Sequence, residues 1–335
     1  MTRTLSSSGI AFPDPVEVVK QADRFVPQGL ERPITYSNID KVFFPDEGYT
    51  KGDLIQYCLS VSRYLLPHLR ERPISMSRYP DGITGESFYQ KNAPGHQPEW
   101  MPTAPIDSES QGGLIEFLLA DSSEGPSWFA NMGCIEFHPF HSRQHTVEFP
   151  DYAIFDLDPA EGSTWDQVVS TARLLNVFLG QLNLVGYPKL SGSRGIHVYV
   201  PLEPVHSYDR VRRFTGEVGG YLAAANPDDI TMVWEKKKRT GRVFVDHNRN
   251  AFGQTIAAVY SVRPRPGAPV SVPLQWEEVG ELANGDVTIA NVWERLEKHG
   301  DLFAPVLEGG QTLDAAEEKM GLTPWNADGP RRRGD

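Results

Sequence analysis

From Thr50 onward the apolar residues Leu54, Cys58, Val61 and Leu65 recur along one helical face. Thr50 with Asp53 supplies a capping box at the start of that helix. Ser163 with Asp166 opens a second helix carrying Val168, Ala172, Leu175, Leu179 and Leu182. Further helices are expected over about 208–225, stopped by Asn226-Pro227, and over about 288–299, with Gly300 as C-cap. Short apolar runs predict strands at 74–78, 87–91, 133–138, 152–159, 241–248 and 254–266, and a hairpin over 188–201. Strands and helices interleave, which gives an α/β (α+β) fold class: a β-sheet flanked by helices. Residues 1–32 lack firm periodicity and read as an arm. Residues 33–300 read as one folded domain with a packed N-terminal lobe. Residues 301–335 read as a tail, poorly ordered from 306.

The chemistry gathers at strand ends. Tyr152-Ala-Ile-Phe-Asp-Leu-Asp-Pro159 reads as a strand that Pro159 stops. Side chains alternate, so Asp156 and Asp158 share a face, roughly 6–7 Å apart along the strand. Such a pair suits hard divalent cations with oxygen ligands, and it also occurs as a plain solvated strand exit. In Pro188-Lys-Leu-Ser-Gly-Ser-Arg-Gly-Ile-His-Val-Tyr-Val-Pro201 the glycines allow a tight turn. Ser191, Arg194, His197 and free turn N–H groups then offer donors for a phosphate. A hairpin whose glycines serve only the turn is the plainer alternative. Asp246 ends the apolar run Val243-Phe-Val, and needs either a metal or an arginine partner. Arg263 and Arg265 close the 254–266 run as a solvated end or a phosphate clamp. Lys236-Lys-Lys-Arg239 reads as a solvated turn and Pro330-Arg-Arg-Arg-Gly334 as a loose end. His138, His141 and His145 have helical metal spacing, but Pro139 and the strand-like Cys134-Ile-Glu-Phe137 oppose a zinc helix.

Several short motifs stand in one order: Asn38-Ile-Asp-Lys-Val-Phe-Phe-Pro45, Thr50-Lys-Gly-Asp53, Arg72-Pro-Ile-Ser-Met-Ser-Arg-Tyr-Pro-Asp-Gly82, Ser87-Phe-Tyr-Gln-Lys-Asn92, Glu136-Phe-His-Pro139, Asp156-x-Asp158, Ser191-Gly-Ser-Arg-Gly-Ile-His197, Asp246 and Tyr260-Ser-Val-Arg263. This order, from about Tyr36 to about Lys298, resembles the bacterial primase–polymerase family. That family comprises the polymerase domain of DNA repair ligase D and stand-alone relatives of the Prim-PolC type, within the archaeo-eukaryotic primase superfamily. The resemblance implies an RRM-like primase–polymerase core. It implies metal-binding and catalytic roles for Asp156, Asp158 and Asp246, with Mn²⁺ or Mg²⁺ in a two-metal site. Ser191, Arg194, His197 and Arg263 match triphosphate contacts, His138 a histidine near the nucleotide, and Phe88 and Tyr89 an aromatic pair near base and template. Asn38, Lys41 and Lys51 match a pocket for the 5′-phosphate of a gap, at a helix N-terminus that would favour an anion. Many relatives carry Lys where Arg194 stands, so a planar fork replaces a point charge. Phe88 and Tyr89 are adjacent, so on a strand only one is expected to face the core.

Charge and cysteines then set limits. The net charge is −12 and the pI about 5.3, which argues against a protein that coats DNA indifferently but leaves room for a local basic groove. The two cysteines, Cys58 and Cys134, read as buried free thiols. With no apolar leader or membrane span, a cytoplasmic, nucleoid-associated protein is expected. No Lys-x-Asp-Gly sequence occurs, so ligase activity is not expected of the chain itself. The expected function is nucleotidyl transfer to DNA 3′ ends, with ribonucleotides preferred, filling short gaps in repair or end joining. The expected partners are gapped or broken DNA with a 5′-phosphate, NTP or dNTP, a separate DNA ligase and Ku. A nuclease or phosphohydrolase on the same carboxylates, and a non-enzymatic DNA-end or nucleotide sensor, are the alternatives.

Overall fold

Asp53 organises the start of the chain. In the computed structural model, which describes residues 2–108 and 112–325, Thr50 caps helix α1 (Lys51–Leu69) in the expected capping box with Asp53. One Asp53 oxygen accepts from the Thr50 N–H at 2.6 Å and from its hydroxyl at 2.8 Å. The other accepts from the hydroxyls of Ser6 at 2.6 Å and Ser8 at 2.8 Å. The stretch expected as an arm is therefore tied down. It forms an antiparallel sheet of β1 (Thr2–Thr4), β2 (Glu17–Gln21) and β3 (Arg24–Pro27). These strands escape a pattern reading because they are short and bury few side chains, Val18 and Phe25 among them.

Contacts divide the chain into two compact units. The first runs to Pro139 and adds Ala257–Ser271 and Gly285–Asp301. Its ribbon β4 (Val42–Phe44) and β5 (Tyr49–Thr50) leads into α1. Beyond α1 come β6 (Ile74–Arg78), β7 (Phe88–Gln90), β8 (Thr103–Ser108), β9 (Gly113–Leu118), helix α2 (Glu124–Asn131) and β10 (Cys134–Pro139). Their sheet has the order β10-β6-β9-β8, with β7 also on β6. Ile74, Met76, Phe117, Phe129 and Phe137 fill its core. Cys58 and Cys134 are buried free thiols.

The second unit is built on one mixed sheet of order β12-β13-β11-β15-β14. Its elements are β11 (Tyr152–Pro159), α3 (Trp165–Gln181), β12 (Tyr187–Leu190), β13 (Ile196–Pro201), α4 (Tyr208–Ala225), β14 (Ile230–Thr231) and β15 (Val243–Asp246). Only the β14–β15 pair is parallel within it. α3 packs on β11, β13 and β15, and α4 on β11 and β14.

Some boundaries differ from the sequence reading. α3 is capped by Thr164, whose hydroxyl accepts from Gln167 while the Gln167 side chain accepts from Thr164. Ser163 instead donates to the Ala160 carbonyl at 2.6 Å. The helix expected from 288 begins at Val292, because Asn291 accepts from the Thr288 N–H at 2.7 Å and holds a turn there. Residues 254–266 form no named strand. Thr255 and Val262 make isolated bridges, and Tyr260 has φ +63°. Part of the stretch past residue 306 is ordered: Asp314–Lys319 is helical, and Glu317 there is buried against Arg210 at 2.8 Å. The Pro330–Gly334 stretch lies outside the described residues. Among the described residues no helix is long and apolar enough to cross a membrane.

Asp53→Ala removes the partner of three hydroxyls and of a helix-cap amide. The variant is expected to lose about 2–4 kcal/mol in urea unfolding, with protease cleavage first within residues 2–30. Unchanged stability would mean that the first strands are held by other contacts.

Candidate active site

The second unit brings the predicted carboxylates together by register. Directly opposed residues on neighbouring strands point to the same face of a sheet. Asp156 on β11 lies opposite Asp246 on β15 and opposite His197 on β13, and His197 lies opposite Lys189 on β12. A single row thus carries Lys189, His197, Asp156 and Asp246, all four buried. The Lys189 ammonium lies 5.7 Å from the Tyr199 ring centre. His197 Nε2 is 3.5 Å from Asp156 Oδ1. Arg249, from the turn after β15, puts Nε 3.4 Å from Asp156 Oδ2 and 3.3 Å from Asp246 Oδ2. Asp246 also accepts from the Asn248 N–H at 3.1 Å. Asp158, one step along the same face, is half-exposed and faces Arg194 at 3.5 Å.

Burial pushes the Asp156 carboxyl up to about 6. Arg249 pulls against that, while Asp158 and Asp246 add to it. Among the described residues no group of three or more His, Cys, Asp or Glu stands in metal-binding geometry. The Arg249 guanidinium lies between the two buried carboxylates. The donor set fits Mn²⁺ or Mg²⁺ nonetheless. It is all carboxylate oxygen and contains no thiol, and each carboxylate already lies within 3.5 Å of a guanidinium.

The Ser191–Gly195 turn differs from the expectation of free N–H groups. The Ser191 hydroxyl accepts from the N–H groups of Ser193, Arg194 and Gly195 at 3.1, 3.2 and 3.0 Å. Asn284 clamps the turn by donating to the Gly195 carbonyl at 3.0 Å. Both glycines are needed. Gly192 has φ +71°, and a Cβ on Gly195 would lie 2.2 Å from the Leu157 carbonyl oxygen. The turn is therefore pinned to β11 beside the aspartates, with Arg194 outward.

The first unit gathers the other predicted residues in two places. On β10 and β7, Glu136 forms a 2.5 Å pair with Arg263 and lies 3.6 Å from His138. Burial would raise the Glu136 carboxyl, but the His138 hydrogen bond and the Arg263 charge outweigh it and hold it at about 2. Arg263 is thus bound to a carboxylate. His138 Nε2 also lies 3.1 Å from the Ser77 hydroxyl, and its ring meets Tyr89 at 5.5 Å. Phe88 and Tyr89 are both exposed, so neither faces the core. β7 has a partner only on one side, and the Arg78 guanidinium covers the Phe88 ring at 5.0 Å.

The second place surrounds Lys51. Its ammonium is buried and donates to the Ser37 carbonyl at 2.8 Å. Burial, with the charges of Lys41, Arg24 and Arg78, lowers its pKa to about 8. Lys41 pairs with Asp81 at the surface. Asn38 holds a left-handed φ of +51° and opens the turn to Lys41, whose N–H donates to the Asn38 carbonyl at 3.0 Å. The helix N-terminus does not contribute as expected. The N–H groups of Lys51 and Gly52 donate to Lys41 and Ile39 carbonyls at 2.8 Å each, and that of Asp53 goes to Thr50.

These motifs agree with comparisons to known proteins. Residues 50–303 match the family model of the LigD primase-polymerase domain. The chain belongs to the LigD primase-polymerase domain family. It is 33% identical over 288 residues to the multifunctional non-homologous end joining protein LigD of Mycolicibacterium smegmatis, covering 84% of this chain and 37% of that protein. It is 33% identical over 273 residues to the bifunctional LigD of Bacillus subtilis, covering 81% of this chain and 43% of that protein. The chain thus spans well under half the length of either LigD. The polymerase domain of Mycobacterium tuberculosis ligase D, solved in complex with DNA, superposes with a TM-score of 0.78 at 31% identity, covering 84% of this chain and all of that one. The three aspartates, the Ser191–Gly195 turn and His138 all lie within the matched residues. Arg249, Lys189 and Asn284 carried no signal of their own in the sequence, because only strand register and turn geometry give them their neighbours.

Asp156→Asn is expected to stabilise the metal-free protein at pH 7. The folded-state pKa is raised, so above about pH 6 the ionised carboxylate costs stability, of the order of 1–3 kcal/mol. As pH falls from about 6 toward 4 the wild type takes up its proton, and the two proteins should converge. Thermal unfolding across pH 4–8 checks this. A wild type more stable than the variant at pH 7 would show that Arg249 and His197 already outweigh the repulsion.

Proposed function

We propose that this chain is a metal-dependent nucleotidyltransferase that extends DNA 3′ ends, with ribonucleotides preferred, in the short gaps of DNA repair or end joining. The reading is carried above all by the buried Asp156–Asp246 pair with Asp158 on the same face. Membership of the LigD primase-polymerase family and the DNA-bound relative support it. Asp156, Asp158 and Asp246 would hold Mn²⁺ or Mg²⁺, and metals bound there would supply hydroxyl activation and charge neutralisation in phosphoryl transfer. Arg194 and His197 would orient the triphosphate, with Ser191 keeping the turn in shape so that Arg194 faces the carboxylates. In the first unit, exposed Phe88 offers a face for base stacking. Tyr89 and Arg263 position His138 and Glu136, so Arg263 reaches a phosphate only by exchanging its carboxylate partner.

A 5′-phosphate would be read at Lys51. Its charged form is disfavoured by burial and by three neighbouring cations, and an anion reverses both effects. Lys41 and Asn38 flank it. This site lets an acidic protein bind a DNA end despite its mean field. A separate DNA ligase and Ku are the partners expected to act with it in the cytoplasm.

Two experiments test the reading. Primer extension on gapped DNA with NTP or dNTP and each metal in turn should show incorporation, lost in Asp158→Ala. Near-normal synthesis by that variant would remove the metal assignment, and strand cleavage in place of synthesis would favour a nuclease. Separately, gapped DNA with a 5′-phosphate should bind more tightly than the same gap with a 5′-hydroxyl at one fixed salt concentration. Lys51 in the free protein loses its proton as pH rises through about 8, so this preference should shrink between pH 7 and 9. Lys51→Met should abolish both the preference and its pH dependence. A preference that survives in the variant would move the phosphate elsewhere.

A further inference from the structure

A cavity of about 1010 Å³ opens within the first unit, beside the Lys51 pocket and distinct from it. Its walls include Arg24 on β3, Arg32 and Ser37 on the following segment, Trp128 and Asn131 on α2, and His96. Ser37 joins the two sites. Its carbonyl accepts from the Lys51 ammonium at 2.8 Å, and its N–H donates to Asn131 Oδ1 at 3.0 Å. Arg24 lines the cavity and also adds to the positive field at Lys51. Trp128 and His96 lie with ring centres 6.2 Å apart. The lining holds two arginines and one carboxylate, Glu31, and Arg24 also pairs at 4.0 Å with Asp23.

The volume is that of a site for a nucleotide-sized ligand, far larger than one phosphate requires. Arginine beside aromatic rings is the combination that holds an unpaired nucleotide, through its phosphate and its base. An extension of a 5′ end leaves through the terminal phosphate itself, so a cavity joined to the phosphate pocket is positioned to receive it. We propose that this cavity binds one nucleotide unit attached to the 5′-phosphate of the downstream strand, its phosphate near Arg24 and Arg32 and its base at Trp128 and His96. The inference rests on Lys51 as the 5′-phosphate site. The added unit could be a one-nucleotide flap joined by a phosphodiester, or an AMP joined through a pyrophosphate.

The test measures the affinity of the full chain for four gapped duplexes at one salt concentration. The downstream 5′ end is a hydroxyl, a phosphate, a one-nucleotide flap or an adenylylated phosphate. The flap or the adenylylated end should bind about fivefold or more tighter than the plain phosphate, and whichever does so names the source. The Arg32→Ala/His96→Ala variant alters two exposed side chains and should lose this gain. It should keep the preference for phosphate over hydroxyl, which reports the Lys51 pocket alone. Extended ends that bind no tighter than the phosphate would overturn the cavity assignment while leaving the phosphate pocket standing. A gain that survives in the variant would also overturn it, placing the extra nucleotide elsewhere, as with a base stacked on Phe88. Equal binding of phosphate and hydroxyl ends would instead overturn the pocket on which the inference rests.

Discussion

Two buried carboxylates side by side on adjacent strands are the constraint on which the second unit is built. Asp156 and Asp246 face each other in register, and like charges at that spacing in a protein interior repel strongly. Basic side chains share their row and its edge. His197 sits opposite Asp156, Lys189 follows in the same row, and Arg249 reaches both carboxylates from the turn after β15. Asp158 is less demanding, being half-exposed beside Arg194. The strand ladder supplies the rigidity, and Arg249 offsets part of the cost of burying the two acids.

The first unit shows the opposite sign of the same arrangement. Lys51 is buried among cations, and the nearby carboxylate, Asp81, is taken by Lys41. Glu136, by contrast, is satisfied by His138 and Arg263 and stays ionised far into acid. These differences separate structural charges from ones suited to a ligand. A charge stabilised by its neighbours has little to gain from a ligand, whereas Lys51 and Asp156 are each held in a disfavoured charge state by burial and by neighbours of like sign.

Several elements were legible before any coordinates. The Thr50–Asp53 box names the start of α1, Asn226-Pro227 the end of α4, and the apolar run to Pro159 the whole of β11. The ordered motifs also led to the LigD primase-polymerase family. Other parts were not legible. β8, β9 and α2 carry no clean periodicity, and they fold because they complete a sheet and cover its core. Thr2–Thr4, Glu17–Gln21 and Arg24–Pro27 pair as strands, and the segment between the first two is tied by Ser6 and Ser8 to Asp53, far along the chain.

The sequence alone determined which residue types stand at strand ends and which turns need glycine. Those depend on neighbours a few positions away, through capping, alternation and positive φ. The tertiary structure decided the rest. It set Asp246 opposite Asp156, brought Arg249 between them, turned the N–H groups of the Ser191 turn inward onto its hydroxyl, and spent the Lys51 and Gly52 N–H groups of α1 on backbone carbonyls. Each of these is a pairing between separate chain segments or a choice among local hydrogen-bond partners. Strand register and burial fix both, and neither is written in local spacing.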